Sequence, residues 1–300
     1  MILNRFVAAI VLLALGLVQA QSWAASLEVV ATAPSLGALV RELAGGRVSL
    51  KVLAGPDRDL HGLQAKPSMI HALSRADLVV AIGAELEVGW LPAALASAAN
   101  PRVLPGQSGY FEAAAQVDLL EAGRPADRAL GDVHPVGNPH LDLDPVRMAA
   151  VAQALAGRLA QLDPAGAPQY RERASAFAAK VDGRVQGWQK QLAGAPGVVL
   201  YHRDGLYLLD RFGVPLLGTL EPVPGVPPTA RQIADLAAGL KGRRGVIVYA
   251  PYQSPQAPQR LAQDLGWPVH QLPLEPPADA DGDGYLAHIG RWVDAIAGPR

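Results

Sequence analysis

The chain has no cysteine, which removes disulfides, thiolate metal ligands and a cysteine nucleophile at once. It also removes lipid attachment at an N-terminal cysteine. Charge of either sign is sparse: 18% of residues are charged and the formal net charge is −1. A nucleic-acid or anionic-membrane partner needs clustered Lys and Arg, and none is expected here. Aromatic residues make up 5% of the chain, few for the stacking platforms of a sugar-binding cleft. No apolar run after the N-terminus is long enough to span a bilayer. The patterns HExxH, GxSxG and GxxxxGK[ST] are missing, and with them the common metalloprotease, hydrolase and nucleotide-binding signatures.

What is present is globular. Half of the 300 residues are apolar, enough for two lobes of about 100–150 residues each. The 31 Gly and 26 Pro punctuate periodic segments and form no low-complexity tract. Arg5, the apolar run from Phe6 to Val18, and small residues from Gln19 to Ala25 read as a secretory signal peptide. Val18 and Ala20 place its end at residue 20, with cleavage after Ala24 or Ala25 as rivals. Export without a lipid anchor implies a free protein in the periplasm of a bacterial owner.

Strands and helices then alternate, which argues for parallel βαβ units. Leu27–Thr32, Val48–Leu53, Asp77–Gly83 and Arg102–Leu104 read as strands, with helices between them. Residues 105–139 read as surface loop with at most one helical turn. Asp144 and Pro145 open a helix that reaches Leu162. The stripe Tyr170, Phe177, Val181, Val185, Trp188 and Leu192 fits one helix of about seven turns whose apolar face is core. A second alternation starts at Val198, with strands at Val214–Leu217, Gly245–Tyr249 and Val269–Leu274 and a closing helix from Tyr285. The expected fold is α/β, with two similar lobes of mainly parallel sheets joined by one long rigid helix. Its divisions are a signal peptide over 1–20, a lobe over 26–163, a connecting helix over 164–194 and a lobe over 195–300. Ligands of such sheets bind beyond the carboxyl ends of the strands, here in the cleft between lobes.

The chemistry concentrates in Gly131 to Pro145, GDVHPVGNPHLDLDP, a stretch stiffened by proline and carrying His134 and His140. Neutral imidazole is the commonest protein ligand for zinc-like metals, although a solvated polar loop explains the same composition. His61 follows the second strand and His202 follows the strand Val198–Tyr201, so His61, His140 and His202 can converge on the cleft. His71 and His288 within helices, and His270 within a strand, read as ordinary packed or solvated histidines. Three imidazoles need a fourth group to close a tetrahedral site. Glu275, Asp279, Asp281 and Asp283 follow the last strand, with a helix cap or an acidic surface loop as the plain alternative for all four. Asp279–Gly284 imitates the start of a calcium loop, but its twelfth position is Gly290, which cannot supply the bidentate acid.

These pieces resemble the metal-specific solute-binding proteins of bacterial ABC importers, the zinc and manganese uptake class. The matching residues are Asp59-Leu60-His61 with Pro67-Ser68, Asn138-Pro139-His140 running to Asp144-Pro145, Tyr201-His202 with Tyr207, and Leu220-Glu221 with the prolines after it. The Gly-Asp-Gly-Tyr285 stretch also fits. The resemblance runs through nearly the whole mature chain in order. It implies one metal ion, Zn2+ before Mn2+, held between two lobes and delivered to a membrane permease, with a periplasmic metallochaperone as a candidate further partner. It implies a monomer that is not an enzyme. By motif position His61, His140 and His202 are the ligands, with Glu275 as the fourth, Asp279 or Asp281 as its alternatives and His134 as an auxiliary.

Several positions depart from that pattern. Leu60 stands where such proteins usually carry Pro, and a second Pro is missing near Gln64. Glu275 stands where Asp is common, in a shortened loop. The long His-rich loop of many zinc members is absent, leaving His134 as the extra histidine, expected to assist loading or release. Manganese members tend to carry Glu at the position of His202, and a site of three imidazoles and one carboxylate suits zinc better than the harder manganese ion. A manganese-specific protein of the same class remains the alternative. The rivals from other classes are a secreted zinc hydrolase, which keeps one coordination position open for water, and an adhesin or small-molecule binder on a similar plan.

Overall fold

The structure, a computed structural model, describes residues 26–123, 134–221 and 225–298. The expected signal peptide and its cleavage positions lie outside the described residues, as do 131–133 of the histidine stretch. Among the described residues no helix is long and apolar enough to cross a membrane.

Two four-stranded sheets carry the fold. The first contains β1 (Leu27–Ala31), β2 (Val48–Val52), β3 (Leu78–Ala81) and β4 (Tyr110–Glu112), in the order β2-β1-β3-β4. The second contains β5 (Gly197–Leu200), β6 (Leu216–Thr219), β7 (Gly245–Tyr249) and β8 (Val269–Gln271), in the order β6-β5-β7-β8. Every pairing is parallel, so the two sheets repeat one topology. β3, β5 and β7 are buried at every position, as strands covered on both faces must be.

The helices are α1 (Pro34–Ala44), α2 (Pro67–Arg75), α3 (Leu91–Ala98), α4 (Pro145–Leu162), α5 (Ala167–Gln191), α6 (Leu206–Phe212), α7 (Ala230–Leu240), α8 (Gln256–Leu265) and α9 (Gly282–Ala297). Strand side chains alternate between layers. Val29 and Ala31 of β1 and Val198 and Leu200 of β5 enter one continuous core that also takes up the apolar faces of α1, α4, α5 and α9. Val30 and Val79 pack into a separate outer layer with α2 and α3, and Val199 and Ile247 into another with α8 and Trp267. The inner faces of both sheets therefore share a single core.

The stripe on α5 is buried at Tyr170, Phe177, Val181 and Trp188, on a helix of 25 residues that extends about 37 Å. It lies along α4 and also meets α1 and α9. The C-terminal helix thus packs against the first helix, and Arg41 of α1 donates to the carbonyls of Ala280 and Ala278, both at 2.8 Å.

One expected element is displaced. Arg102–Leu104 is no strand: Pro101–Val103 is a 3-10 turn in which the Asn100 side chain accepts from the Arg102 N–H at 3.2 Å. Pro101 removes a ladder donor, and the Asn cap satisfies the turn locally. The fourth strand is Tyr110–Glu112, inside the stretch expected to be loop. It pairs with β3 and buries Phe111. Three residues are too few to register a period of two.

Candidate metal centre

His61 and His202 follow strands and His140 precedes a helix, and His61 and His140 are held by neighbours in sequence. In the loop after β2, Asp59 Oδ1 accepts from the His61 N–H at 2.9 Å, an Asx turn, and lies 2.8 Å from His61 Nδ1. One carboxylate therefore sets both the backbone and the ring, leaving Nε2 to face the cleft. Leu60 is buried, and its carbonyl accepts from the Trp90 indole at 2.9 Å. Burial and this hydrogen bond fix the loop at Leu60.

His140 precedes a 3-10 turn over Leu141–Leu143, which leads through Asp144 into α4. Its N–H donates to Asn138 Oδ1 at 3.0 Å. Asp144 caps α4 by accepting from the Val146 N–H at 2.9 Å, and it pairs with Arg147 and Arg211. Its role is that of helix start and ion-pair hub. His202 follows β5, and its Nδ1 lies 3.3 Å from Glu221 Oε2.

These loops bring four imidazoles together. Ring centroids are 5.2 Å apart for His61–His134 and for His61–His140, 6.0 Å for His61–His202 and 5.7 Å for His140–His202. One ring nitrogen from each of His61, His134 and His140 lies within 4.8 Å of the others, and His61 Nε2 is 3.1 Å from His134 Nε2. Nε2 of His140 is buried and meets no hydrogen-bond partner among the described residues. A buried polar atom left so is costly unless something else occupies it. On the His202 side a cavity of about 350 Å³ opens, bounded by Asp59, Glu221, Tyr252 and Gln253.

The electrostatics separate the rings. Burial, followed by the neighbouring His61, His202 and His134, holds His140 well below the ordinary histidine range, so it is neutral at physiological pH. Burial also disfavours the charged form of His202. The Glu221 hydrogen bond and the charges of Asp204, Glu221 and Asp59 outweigh it, and the pKa of His202 is raised. Burial likewise pushes Asp59 up, and its contacts with His61 overcome that and lower it.

The acids after β8 divide. Glu275 is buried, and both its oxygens accept from Ser35, Oε2 from the N–H at 2.7 Å and Oε1 from the hydroxyl at 3.3 Å. Asp281 caps α9 by accepting from the Gly284 N–H at 2.9 Å, and Asp279 and Asp283 are exposed. The set whose donor atoms lie within 4.8 Å of one another is His61, His134 and His140; among the described residues neither these acids nor His202 joins it. His288 is buried and bonded to Leu274 O at 2.8 Å, while His71 is exposed and His270 half-buried. The orienting roles of Asp59 and Glu221 went unassigned from sequence. The first is readable as an Asp two residues before a histidine; the second depends on β6 lying beside β5.

A cleft between two parallel-sheet lobes, lined by converging imidazoles at the strand ends, defines a solute-binding protein built for a small cation. The chain matches the family described as zinc-uptake complex component A, periplasmic, over residues 29–298, and it belongs to that family. It is therefore a metal-binding, substrate-binding component of an ABC importer, a protein that works with a membrane permease and ATPase; the family is not one of enzymes. A curated relative, the metal ABC transporter substrate-binding lipoprotein ScbA of Streptococcus cristatus, is 24% identical over 92% of this chain and 90% of its own. The structure is similar to that of a zinc-bound ZnuA deletion mutant, with a TM-score of 0.75 at 22% identity, over 92% of this chain and 100% of that one. It is also similar to FpvC of Pseudomonas aeruginosa in complex with Mn2+, with a TM-score of 0.76 at 22% identity, over 91% and 97%. At that identity the likeness concerns the fold.

Proposed function

We propose that the protein captures a single zinc ion in the periplasm, as a free and not lipid-anchored monomer, and hands it to its permease. His61, His140 and His202 are the donors, with His134 at the fourth corner. The observation that carries this reading is the buried Nε2 of His140, partnerless beside three other imidazoles. Neutral imidazoles suit zinc, whereas manganese favours carboxylate, carbonyl and water oxygens. The curated relatives are named only for a metal, and the solved structures name zinc, manganese and nickel, so the donor set decides the reading. On this reading Glu275, engaged with Ser35, serves outside the shell.

Metal analysis and competition titration of the purified protein test it. Zinc should bind at one equivalent and outcompete manganese. His140→Ala and His134→Ala should each weaken zinc by more than about 100-fold, beyond what loss of an outer hydrogen bond causes. Preference for manganese would overturn the zinc assignment. A His134→Ala protein with unchanged affinity but altered transfer to the permease would return His134 to an assisting role.

A further inference from the structure

Asn138 uses every polar group it has, and the partners come from both halves of the chain. Its side-chain oxygen accepts from the His140 N–H at 3.0 Å, and its side-chain amide donates to the Arg203 carbonyl at 3.0 Å. Its N–H donates to Leu120 O at 2.8 Å. Its own carbonyl accepts from the Tyr207 hydroxyl at 2.6 Å, and that hydroxyl accepts from the Leu120 N–H at 3.0 Å. Arg203 closes the arrangement: Nε donates to Glu121 Oε2 at 3.1 Å and Nη2 to Oε1. Arg203 directly follows His202, and Asn138 stands two residues before His140. Two histidines from the two halves of the chain are thus tied through one amide side chain.

Nothing in coordination chemistry calls for this arrangement, because none of its members offers a ring nitrogen or free oxygen to the histidine cluster. Bulk packing does not require it either, since α4, α5 and α9 already join the lobes from behind. We propose that Tyr207, Asn138 and Arg203 are positioning residues, a clasp across the cleft that sets the spacing of His140 and His202 and has to yield before a bound ion leaves. This rests on the reading of the cluster as the zinc site. The clasp is suited to control release, since its hydrogen bonds are few, directional and partly buried. Losing one leaves a buried donor or acceptor unpaired.

The test uses Tyr207→Phe, which removes only the hydroxyl; the ring stays seated because it is fully buried with the Arg147 guanidinium 4.8 Å from its centroid. It is paired with Arg203→Glu, Glu121→Arg and their combination, at a partly exposed ion pair. Zinc release from the full protein is followed by stopped flow against excess EDTA, and amide exchange is measured on the metal-free protein. Tyr207→Phe and Arg203→Glu should release zinc roughly five- to tenfold faster, with stoichiometry and association rate unchanged. The charge-reversed double variant should return toward the wild-type rate. Release within about twofold of wild type in both single variants overturns the clasp, as does a double variant that fails to recover. If the wild type binds no zinc, the site reading fails, and exchange decides the clasp alone. The His140 amide must then exchange faster in Tyr207→Phe, and an unchanged rate there rejects the proposal.

Discussion

Glu275 and Ser35 meet although 240 positions separate them, with the carboxyl oxygens of one on the N–H and hydroxyl of the other. Ser35 lies in the first turn of α1, where unsatisfied N–H groups favour an acidic partner. Burial and the adjacent Asp142 push Glu275 well above the usual carboxylate range, and burial takes Asp142 up to about 7. Both carboxyls are therefore biased toward the protonated form, beside a contact that joins the end of the second sheet to the start of the first helix.

That geometry predicts different outcomes for two substitutions. Glu275→Gln keeps an acceptor for the Ser35 N–H and a donor toward Asp142, so zinc affinity and stability at pH 7 should change little. Glu275→Ala strands the Ser35 N–H and should cost about 1–3 kcal/mol in denaturant unfolding of the metal-free protein. A fall in zinc affinity of more than about 100-fold in Glu275→Gln, with stability preserved, would place Glu275 in the coordination shell.

Glu221 governs the second prediction. It raises the pKa of His202, and a protonated imidazole cannot ligate, so protons compete with zinc at His202 before they reach His140. Zinc affinity should fall as pH drops through the raised His202 value. Glu221→Gln weakens that competition and should shift the decline to lower pH. At pH 8 the same variant should bind roughly tenfold more weakly, because the ring loses its orienting carboxylate. Titrations from pH 8 to pH 5 check both effects. A decline at the same pH in variant and wild type would rule out His202 as the controlling group.

Much of this was legible in the residues. The apolar runs of β3, β5 and β7, the stripe on α5 and the cap at Asp144 carry strong local periodic or capping signals, and the structure has each where those signals place it. His61, His140 and His202 stand at strand ends or helix starts, and topology gathers such positions. β4 was not legible, because three residues beside a Pro-initiated turn carry no period, and only the exposed edge of β3 makes them a strand. The contact of Glu275 with Ser35 was equally hidden, because the free N–H groups of α1 reach that carboxylate only through tertiary packing. The role of Asn138 was not legible either, since its partners Arg203 and Tyr207 lie more than sixty positions away.

Outside the cleft, His288 should dominate the loss of stability on mild acidification. Its ring is buried in α9, bonded to Leu274 O through Nε2 and within 3.1 Å of Arg291 through Nδ1, and its pKa is lowered to about 4, chiefly by burial. In the unfolded chain the value is about 6.5, so the unfolded state takes up the proton first. The contribution of His288 is therefore complete above about pH 6.5 and is lost as pH falls toward 4, by about 2 kcal/mol at pH 5 and about 3 kcal/mol at pH 4. Asp142 and Glu275 act in the opposite sense, because their raised values make the folded state bind the proton more tightly, a gain that Asp142 loses as pH rises through about 7. The two trends overlap in the wild type, and His288→Gln separates them. It should lower stability at pH 7 while flattening the slope between pH 6.5 and pH 4.5, as read from urea midpoints of the metal-free protein. An unchanged slope would assign the proton uptake to another group.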